Sequence, residues 1–162
     1  MKKESFQTWR FRFFMNLYPM YFGTGGKITF LSSDWRQVQV RLRRNMWTYN
    51  YVGTIFGGSM FSASDPFYML MLFHSLGKKY VIWDKSASIR FKKPGKTTLY
   101  AHFEVDEKTL ADIKEKVAYS GETDWQFTIQ WKDGAGKVHA EIERTVYVAD
   151  KCFYQSKLAA RQ

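Results

Sequence analysis

One segment of the sequence constrains the fold more than any other. Between Ser59 and Leu76 the chain is largely apolar, and Gly77 follows in the position of a typical helix C-cap. This run is much longer than a strand, which averages about 5–6 residues, so it predicts a buried helix. Its longest uninterrupted apolar stretch, Phe67 to Phe73, is far shorter than the roughly 18 residues that suggest a membrane-spanning helix. We therefore expect the main helix of a hydrophobic core.

Strand-like segments lie on both sides of this helix. In one of them, Val38, Val40 and Leu42 alternate with Gln and Arg, as in a strand with one wet face. The segments predicted to be strands are Lys27–Leu31, Gln37–Arg43, Tyr80–Phe91, Thr98–Val105, Asp124–Trp131 and Lys137–Val148. We expect the last four to form an antiparallel meander. A long apolar helix among antiparallel strands implies an α+β fold in which a curved sheet wraps around a central helix.

An additional helix is predicted at the N-terminus. Aromatic residues recur at helical spacing over Lys3–Phe22, and Pro19 is expected to kink or shorten the helix. The aromatic stripe indicates core or interface cover; because arginines interleave with it, a membrane-surface anchor is the alternative. Glu107–Tyr119 is predicted to be a short surface helix and Asp150–Gln162 a fraying polar tail.

The length of the chain is typical of one domain. No internal repeat is evident, so we interpret residues 1–162 as a single domain, with residues 1–26 as N-terminal helix and linker and residues 150–162 as the C-terminal tail. The start, Met1-Lys2-Lys3, resembles the charged region of a signal peptide, but no continuous apolar segment follows. We expect a cytoplasmic protein.

Composition narrows the class of partner. Aromatic residues make up 19% of the chain, which favours large surfaces buried in an oligomer or around a ligand. The net charge of +10 is compatible with nucleic acid, an anionic membrane or a phosphorylated ligand. No nucleic-acid-binding motif accompanies the charge, so nucleic acid is not expected. A single cysteine, Cys152, and three scattered histidines argue against a disulfide or a metal cluster.

Chemistry is concentrated where the main helix begins. Gly57 and Gly58 have amide groups at the positive end of the helix dipole, which suits them to stabilise an oxyanion. Tight packing of helix against sheet is the alternative explanation for the two glycines. Asp65 is an isolated carboxylate in an apolar run, which indicates a base or nucleophile. The alternative is that Asp65 bonds local backbone groups beside Pro66.

These residues carry a family resemblance. The pattern of Asn50, Gly53, Thr54, Gly57, Gly58 and Asp65 resembles the hotdog-fold thioesterases of the phenylacetate-pathway type. More narrowly, the segments at 53–58, 83–85 and 89–96 are similar to a hotdog family known as DUF4442. The resemblance covers nearly the whole chain from the first strand onward and implies a hotdog fold with an extra N-terminal helix.

The resemblance also implies roles for individual residues. The position of Asp65 carries the catalytic carboxylate, that of Gly58 the oxyanion N–H, and that of Asn50 a side chain that organises the site. These groups come from two subunits in the resembling enzymes, which implies a homodimer or a dimer of dimers, that is, a homotetramer. Phe56 stands where a histidine is frequent, and Asp84 falls where some members have a helper hydroxyl. If Asp84 faced Asp65 across the dimer, one pKa would rise, with Lys85 opposing the shift.

The leading functional hypothesis is hydrolysis of an acyl-CoA or acyl-carrier thioester, with CoA as part of the substrate and no separate cofactor. A non-catalytic protein that binds acyl-CoA or a fatty acyl chain, in peripheral contact with a membrane through its N-terminal helix, is the alternative. Met60, Met69 and Met71 either line an acyl slot or form ordinary core. One group of basic residues either docks the phosphates of CoA or forms a solvated sheet face: Arg90, Lys92, Lys93 and Lys96.

Overall fold

Six antiparallel strands form one sheet in the computed structural model, which describes residues 3–160. The strands are β1 (Gly26–Leu31), β2 (Gln37–Leu42), β3 (Tyr80–Phe91), β4 (Leu99–Glu104), β5 (Glu122–Lys132) and β6 (Val138–Asp150). Their bounds lie within two residues of those that the sequence predicted. The sheet order is β1-β2-β4-β5-β6-β3.

The position of β3 differs from the predicted meander. Strands β4, β5 and β6 are consecutive neighbours, but β3 lies beyond β6 at the edge of the sheet and does not pair with β4. The lengths of the strands explain this arrangement, because the 12 residues of β3 pair along almost all of the 13-residue β6, whereas β4 has only six residues. The predicted adjacency of β3 and β4 was therefore wrong.

Six helices accompany the sheet in the described part of the chain. They are α1 (Phe6–Leu17), α2 (Pro19–Phe22), α3 (Gly57–Ser62), α4 (Phe67–Leu76), α5 (Glu107–Ser120) and α6 (Lys151–Ala159). No helix among residues 3–160 is long and apolar enough to cross a membrane.

The central helical segment is interrupted. It begins at Gly57, two residues before the predicted start, and is divided into α3 and α4 by a turn over residues 63–66. Pro66 accounts for the interruption, because proline lacks an amide hydrogen and its ring clashes with the carbonyl four residues earlier. The predicted central helix is thus present in two consecutive parts, and the turn places Asp65 between them.

The helical segment packs on the inner face of the sheet. The ring of Tyr68 on α4 stacks on Phe127 of β5 at 3.9 Å, and Trp131 donates a hydrogen bond to the carbonyl of Met60 at 2.8 Å. Met60 and Met71 are completely enclosed in this core. They are therefore ordinary core residues within the chain, as the second of the two sequence interpretations held.

The N-terminal helix is divided at Pro19, as the sequence predicted. Asn16 of α1 covers the outer edge of β1, because its side-chain amide donates to the carbonyl of Ile28 at 3.0 Å and accepts from the amide of Ile28 at 2.8 Å. The side chain thus acts as a substitute for a neighbouring strand. Most of the aromatic stripe, in contrast, is exposed and does not cover the core of its own chain.

The C-terminal segment forms a helix and not the predicted fraying tail. The side chain of Asp150 accepts hydrogen bonds from the amides of Cys152 and Phe153 and so caps α6. Lys157 of α6 forms an ion pair with Glu122 of β5, which attaches the helix to the sheet. The last two residues of the predicted tail, 161 and 162, lie outside the described residues.

Candidate active site

Asp65 lies in the turn between α3 and α4. Its Oδ2 accepts a hydrogen bond from Nη1 of Arg144 at 3.0 Å. The side chain is 53% exposed, and its other oxygen, Oδ1, has no hydrogen-bond partner among residues 3–160. The alternative in which Asp65 bonds backbone groups beside Pro66 is wrong, since the partner of the carboxylate is a side chain 79 residues away in sequence.

Arg144 is the principal site residue that sequence reasoning missed. It lies on β6 at an inward position between Ile142 and Val146, and its side chain is only 2% exposed. The signal was present in the sequence, because every second residue from Ala140 to Val148 is apolar except Arg144. A buried cation costs free energy unless it is paired, so this break in the alternation indicates carboxylates nearby.

Asp84 is the second carboxylate that binds Arg144. Its Oδ2 lies 3.1 Å from the same Nη1 atom, so Asp65 and Asp84 meet on one cation within a single chain. The sequence left open whether they face each other across a dimer, and their shared contact lies within one chain. Lys85 forms an ion pair with Asp124 instead, so Arg144 supplies the opposing charge that was expected from Lys85.

A β-bulge explains why Asp84 points inward. The pairing of β3 with β6 shifts between Asp84 and Ser86, so Lys85 is an extra residue in the strand. Asp84 is opposite the buried Val146, and after the bulge Ile89 and Phe91 return to the same inner face. Burial raises the pKa of Asp84, the charge of Arg144 opposes this rise, and the charge of Asp65 adds to it.

Asp84 and Arg144 have buried polar atoms that lack hydrogen-bond partners among residues 3–160. Within residues 3–160, no partner is present for Nε and Nη2 of Arg144 or for Oδ1 of Asp84, and all three atoms are buried. Unpaired buried polar atoms are costly and are concentrated at functional sites in many proteins. The cluster of Asp65, Asp84 and Arg144 is therefore a candidate centre for chemistry.

Gly57 and Gly58 begin α3, as the sequence predicted in outline. Their amide N–H groups have no hydrogen-bond acceptor among residues 3–160, whereas the next two amides donate to the carbonyl of Phe56. A Cβ on Gly57 would lie 2.5 Å from the ring of Phe91, and one on Gly58 would lie 2.3 Å from the ring of Phe56. The two half-exposed phenylalanine rings thus lie against the start of the helix.

Asn50 organises the loop that leads to this helix. Its Oδ1 accepts hydrogen bonds from the amide and the hydroxyl of Thr54, at 3.1 and 3.2 Å. The backbone N–H of Asn50 donates to the carbonyl of Thr54 at 2.7 Å. Within the chain, the side chain of Asn50 therefore holds the approach to Gly57 and is not a contact of Asp65.

The predicted phosphate-docking residues follow the exposed end of β3. Lys92 lies 3.6 Å from Glu141, and the neighbouring side chain of Lys137 lowers the pKa of Lys93. The backbone amides of Lys92 and Lys93 both donate to the carbonyl of His139. Lys137, which the sequence analysis did not include, therefore belongs to the same basic surface as Arg90, Lys92, Lys93 and Lys96.

Asp65 does not line either of two cavities that lie elsewhere in the protein. A void of about 10 Å³, about enough for one water molecule, lies in the core under α1. A cleft of about 220 Å³ lies between Trp83, Tyr147 and the helix α6, on the outer face of the sheet. In the described part of the chain, no group of three or more His, Cys, Asp or Glu side chains could hold a metal ion.

Comparison with solved structures identifies the fold. A protein of unknown function from Pseudomonas aeruginosa, described as a probable thioesterase, matches with a TM-score of 0.75 and 17% identity over 91% of this chain and 98% of its own. A thioesterase from Haemophilus influenzae matches with a TM-score of 0.63 and 12% identity over 92% and 94% of the two chains. Thioesterase superfamily member 2 from Mus musculus matches with a TM-score of 0.63 and 14% identity over 88% and 98%.

These likenesses establish a hotdog-type α+β fold, as the sequence motifs implied. A search of curated proteins finds no significant match. The family model described as a domain of unknown function, DUF4442, matches residues 7–148. The chain therefore belongs to the DUF4442 family.

Proposed function

We propose that this protein hydrolyses an acyl-CoA or acyl-carrier thioester to a free acid and a thiol. The observation that carries the proposal is the arrangement of Asp65. One carboxylate oxygen is anchored by Arg144, and the other is free of hydrogen bonds to residues 3–160 on a half-exposed side chain. A carboxylate held in one orientation with one available oxygen is suited to act as a general base or a nucleophile. The solved hotdog thioesterases of similar fold add support.

Two routes for the reaction use the same carboxylate. As a base, Asp65 removes a proton from water, which attacks the thioester carbonyl while the thiolate leaves. As a nucleophile, its oxygen bonds to the carbonyl carbon and expels the thiolate, and water then hydrolyses the resulting anhydride. In both routes negative charge develops on the thioester oxygen, and the N–H of Gly58 is proposed to stabilise it.

The remaining site residues are proposed to support this centre. Asn50 holds the loop before the helix, and Phe56 and Gly57 line the place where the thioester would lie. Asp84 acts through Arg144, because it shares the Nη1 atom that orients Asp65. Its role is therefore to position the catalytic carboxylate rather than to contact the substrate.

A homodimer is proposed to complete the site. The outer edge of β1 is covered by Asn16, but among residues 3–160 β3 has a hydrogen-bonded strand partner on one side only, at β6. An open edge strand of 12 residues is a template for pairing with another chain. Pairing of two β3 edges would also cover Phe91, which is exposed. A dimer of dimers remains compatible with this arrangement.

CoA is the proposed carrier of the acyl group. Arg90, Lys92, Lys93 and Lys96 lie at or just after the end of β3, and Phe91 in the same segment faces Gly57. Lys137 adds a positive charge beside Lys93. A phosphate bound here would relieve the repulsion between these lysines.

A cytoplasmic location is proposed for the protein. The free, exposed thiol of Cys152 supports it, because such a thiol is typical of a reducing compartment. Residues 1–162 are proposed to be one domain.

The alternative function is binding of an acyl-CoA or fatty acyl chain without hydrolysis. The ion pair of Asp65 with Arg144 favours it, because a carboxylate engaged by a cation donates electron density less readily than a free one. Phe56 favours it too, since its apolar ring lies at the helix start where the thioester would otherwise meet a polar side chain.

Turnover of a panel of acyl-CoA thioesters of different chain lengths tests the proposal. Asp65→Asn keeps the shape and an acceptor for Arg144, so we expect a loss of at least about 10²-fold in kcat with the fold retained. Asp112→Asn on the surface helix α5 is the matched control and should leave kcat unchanged. Parental turnover by Asp65→Asn would remove the catalytic assignment. Ligand-dependent thermal stabilisation without any turnover would establish the binding function instead.

A further inference from the structure

The outward face of the N-terminal helices is an exposed aromatic surface. The rings of Phe6, Trp9 and Phe13 stack in series along α1, with centroids 5.9 and 5.8 Å apart. The opposite side of α1 packs on the core through Phe11 and Met15. The exposed apolar residues of α1, α2 and their junction are Phe6, Trp9, Phe13, Phe14, Leu17, Tyr18, Met20 and Phe22. A patch of this kind on a protein surface marks an interaction site.

A second exposed apolar group lies beside the first. It is formed by the loop between β2 and α3 and consists of Met46, Trp47, Tyr49, Tyr51 and Val52. Thr48 of this loop packs closely on the turn between α2 and β1, because a Cβ on Gly25 would lie only 2.2 Å from the methyl group of Thr48. Thr48 is buried and bonds the carbonyl of Arg43. We call the two groups together the aromatic rim.

The charge of this part of the chain is strongly one-sided. Between residues 4 and 64 the sequence contains seven Lys or Arg residues and two acidic residues, Glu4 and Asp34. Glu4 is paired with Arg12. Asp34 is paired with Arg36. Arg10 lies among the exposed rings of α1, and Arg43 and Arg44 lie at the base of the loop. Three arginines, Arg10, Arg43 and Arg44, therefore accompany the aromatic rim.

We propose that the aromatic rim docks on the surface of a lipid bilayer that contains anionic lipids. Aromatic side chains are favourable at the boundary between headgroups and acyl chains, and basic residues beside them are attracted to anionic headgroups. A second copy of this chain is a poorer occupant, because it would place the same positive charges opposite one another. The aromatic rim is formed by exposed side chains of surface helices and of a surface loop, so the proposed contact is with the face of the membrane.

The location of the aromatic rim bears on the substrate, a step that rests on the proposed function. The amide of Phe56 donates to the carbonyl of Thr48 at 2.7 Å, which connects the loop directly to the start of α3. Docking of the loop would therefore bring Gly57 and Gly58 close to the bilayer surface. The substrate class that fits is a long-chain acyl thioester that partitions into the membrane.

Sedimentation with lipid vesicles tests the docking without reference to hydrolysis. Vesicles of phosphatidylcholine alone are compared with vesicles that also contain phosphatidylglycerol. We expect binding to the mixed vesicles that weakens in high salt, where the Debye length falls to about 3 Å. The paired substitutions Trp9→Ser with Phe13→Ser, and Trp47→Ser with Tyr51→Ser, should each lower the partition coefficient about tenfold or more.

Matched controls separate the aromatic rim from general exposure and charge. Tyr119→Ser removes a ring that is 94% exposed on α5 and should leave binding unchanged. Arg10→Glu with Arg43→Glu should lower binding to the mixed vesicles about tenfold or more, whereas Lys108→Glu with Lys114→Glu on α5 should have a much smaller effect. Circular dichroism verifies that each variant is folded.

Two outcomes would overturn the proposal. One is a parental protein that does not bind mixed vesicles; a change of mass in light scattering when the aromatic rim is altered would then assign the surface to contacts between protein chains. The other is equal binding by the rim variants and the Tyr119→Ser control. Because vesicle binding is measured without a thioester, failure of docking is distinguishable from failure of the hydrolase activity.

Discussion

Arg144 and Asp65 form an ion pair of 3.0 Å that links the middle strand region of β6 to the break in the central helix. The arginine is buried and the carboxylate is half exposed. The pair therefore connects the interior of the protein to its surface. Asp84 approaches the same Nη1 atom from β3, so three separate elements meet at one guanidinium group. A buried cation requires compensation, and here two carboxylates share that task.

This shared cation predicts non-additive effects of mutation. Asp65→Asn and Asp84→Asn each leave Arg144 with one carboxylate, so each change should cost little stability. The double variant leaves the buried guanidinium without a counter-charge, which typically costs about 3–5 kcal/mol. We expect its loss in free energy of unfolding to exceed the sum of the two single losses by about 1–3 kcal/mol, measured by urea denaturation.

Asp112→Asn combined with Asp84→Asn is the control, because Asp112 lies on α5 and does not contact Arg144. The loss in free energy of unfolding of this double variant should equal the sum of the losses of Asp112→Asn and Asp84→Asn within about 0.5 kcal/mol. Strict additivity in the Asp65 and Asp84 pair would show that the two carboxylates do not share the arginine.

The pH dependence of stability should reveal Asp84. Burial raises its pKa above the ordinary value of 3.8, so the folded state binds this proton more tightly than the unfolded chain. The stability from this group is present below pH 3.8 and is lost as the pH rises through the raised pKa. Asp84→Asn removes the dependence, so the Tm of the variant relative to the parent should increase between about pH 3 and about pH 6.

Asp106 provides a control of opposite sign. Hydrogen bonds from Thr109 lower the pKa of Asp106, so this group contributes stability above its ordinary pKa that is lost as the pH falls. The Tm of Asp106→Asn relative to the parent should therefore decrease over the same rise in pH. If the relative Tm of Asp84→Asn decreased as well, the assignment of a raised pKa to Asp84 would be wrong.

The basic surface at the end of β3 should distinguish CoA from a short thiol carrier. Lys93→Glu with Lys96→Glu is expected to raise KM for CoA thioesters about tenfold or more, because each reversal turns a phosphate attraction into a repulsion. KM for N-acetylcysteamine thioesters, which lack the nucleotide, should change little. Lys108→Glu with Lys114→Glu controls for the change in net charge. Equal effects on both classes of substrate would mean that these lysines serve solubility alone.

The open edge of β3 should determine the oligomeric state. In a dimer joined by two antiparallel β3 edges, residues near the middle of the strand lie close to their own copies across the two-fold axis. Ser88→Glu is therefore expected to weaken the dimer by repulsion, and so is Ser88→Lys. A mixture of the two variants should restore it, as measured by light scattering.

Thr29→Glu on β1 is the matched control, because that edge is covered by Asn16 within the chain. It should leave the mass unchanged. A dimer that is insensitive to Ser88→Glu, or one broken by Thr29→Glu, would place the interface elsewhere.

The sequence by itself determined the class of fold. Alternation of apolar and polar residues located all six strands, and the apolar run located the central helical segment. These signals are local, because side-chain orientation repeats every two residues in a strand and about every 3.6 residues in a helix. The glycines before the helix and the isolated Asp65 were also visible, since each departs from the pattern around it.

Only the tertiary structure decided which residues meet. Strand pairing joins residues distant in sequence, and local periodicity does not specify which strand lies beside β6; the placement of β3 there brought Asp84 to Arg144. The interruption at Pro66 turned Asp65 out of the helix and towards the same arginine. The sequence also did not decide whether the aromatic stripe at Trp9 and Phe13 is exposed or buried, because an apolar helix face shows only that its burial would be favourable. What covers such a face depends on the elements packed against it, which is a property of the folded chain and its surroundings.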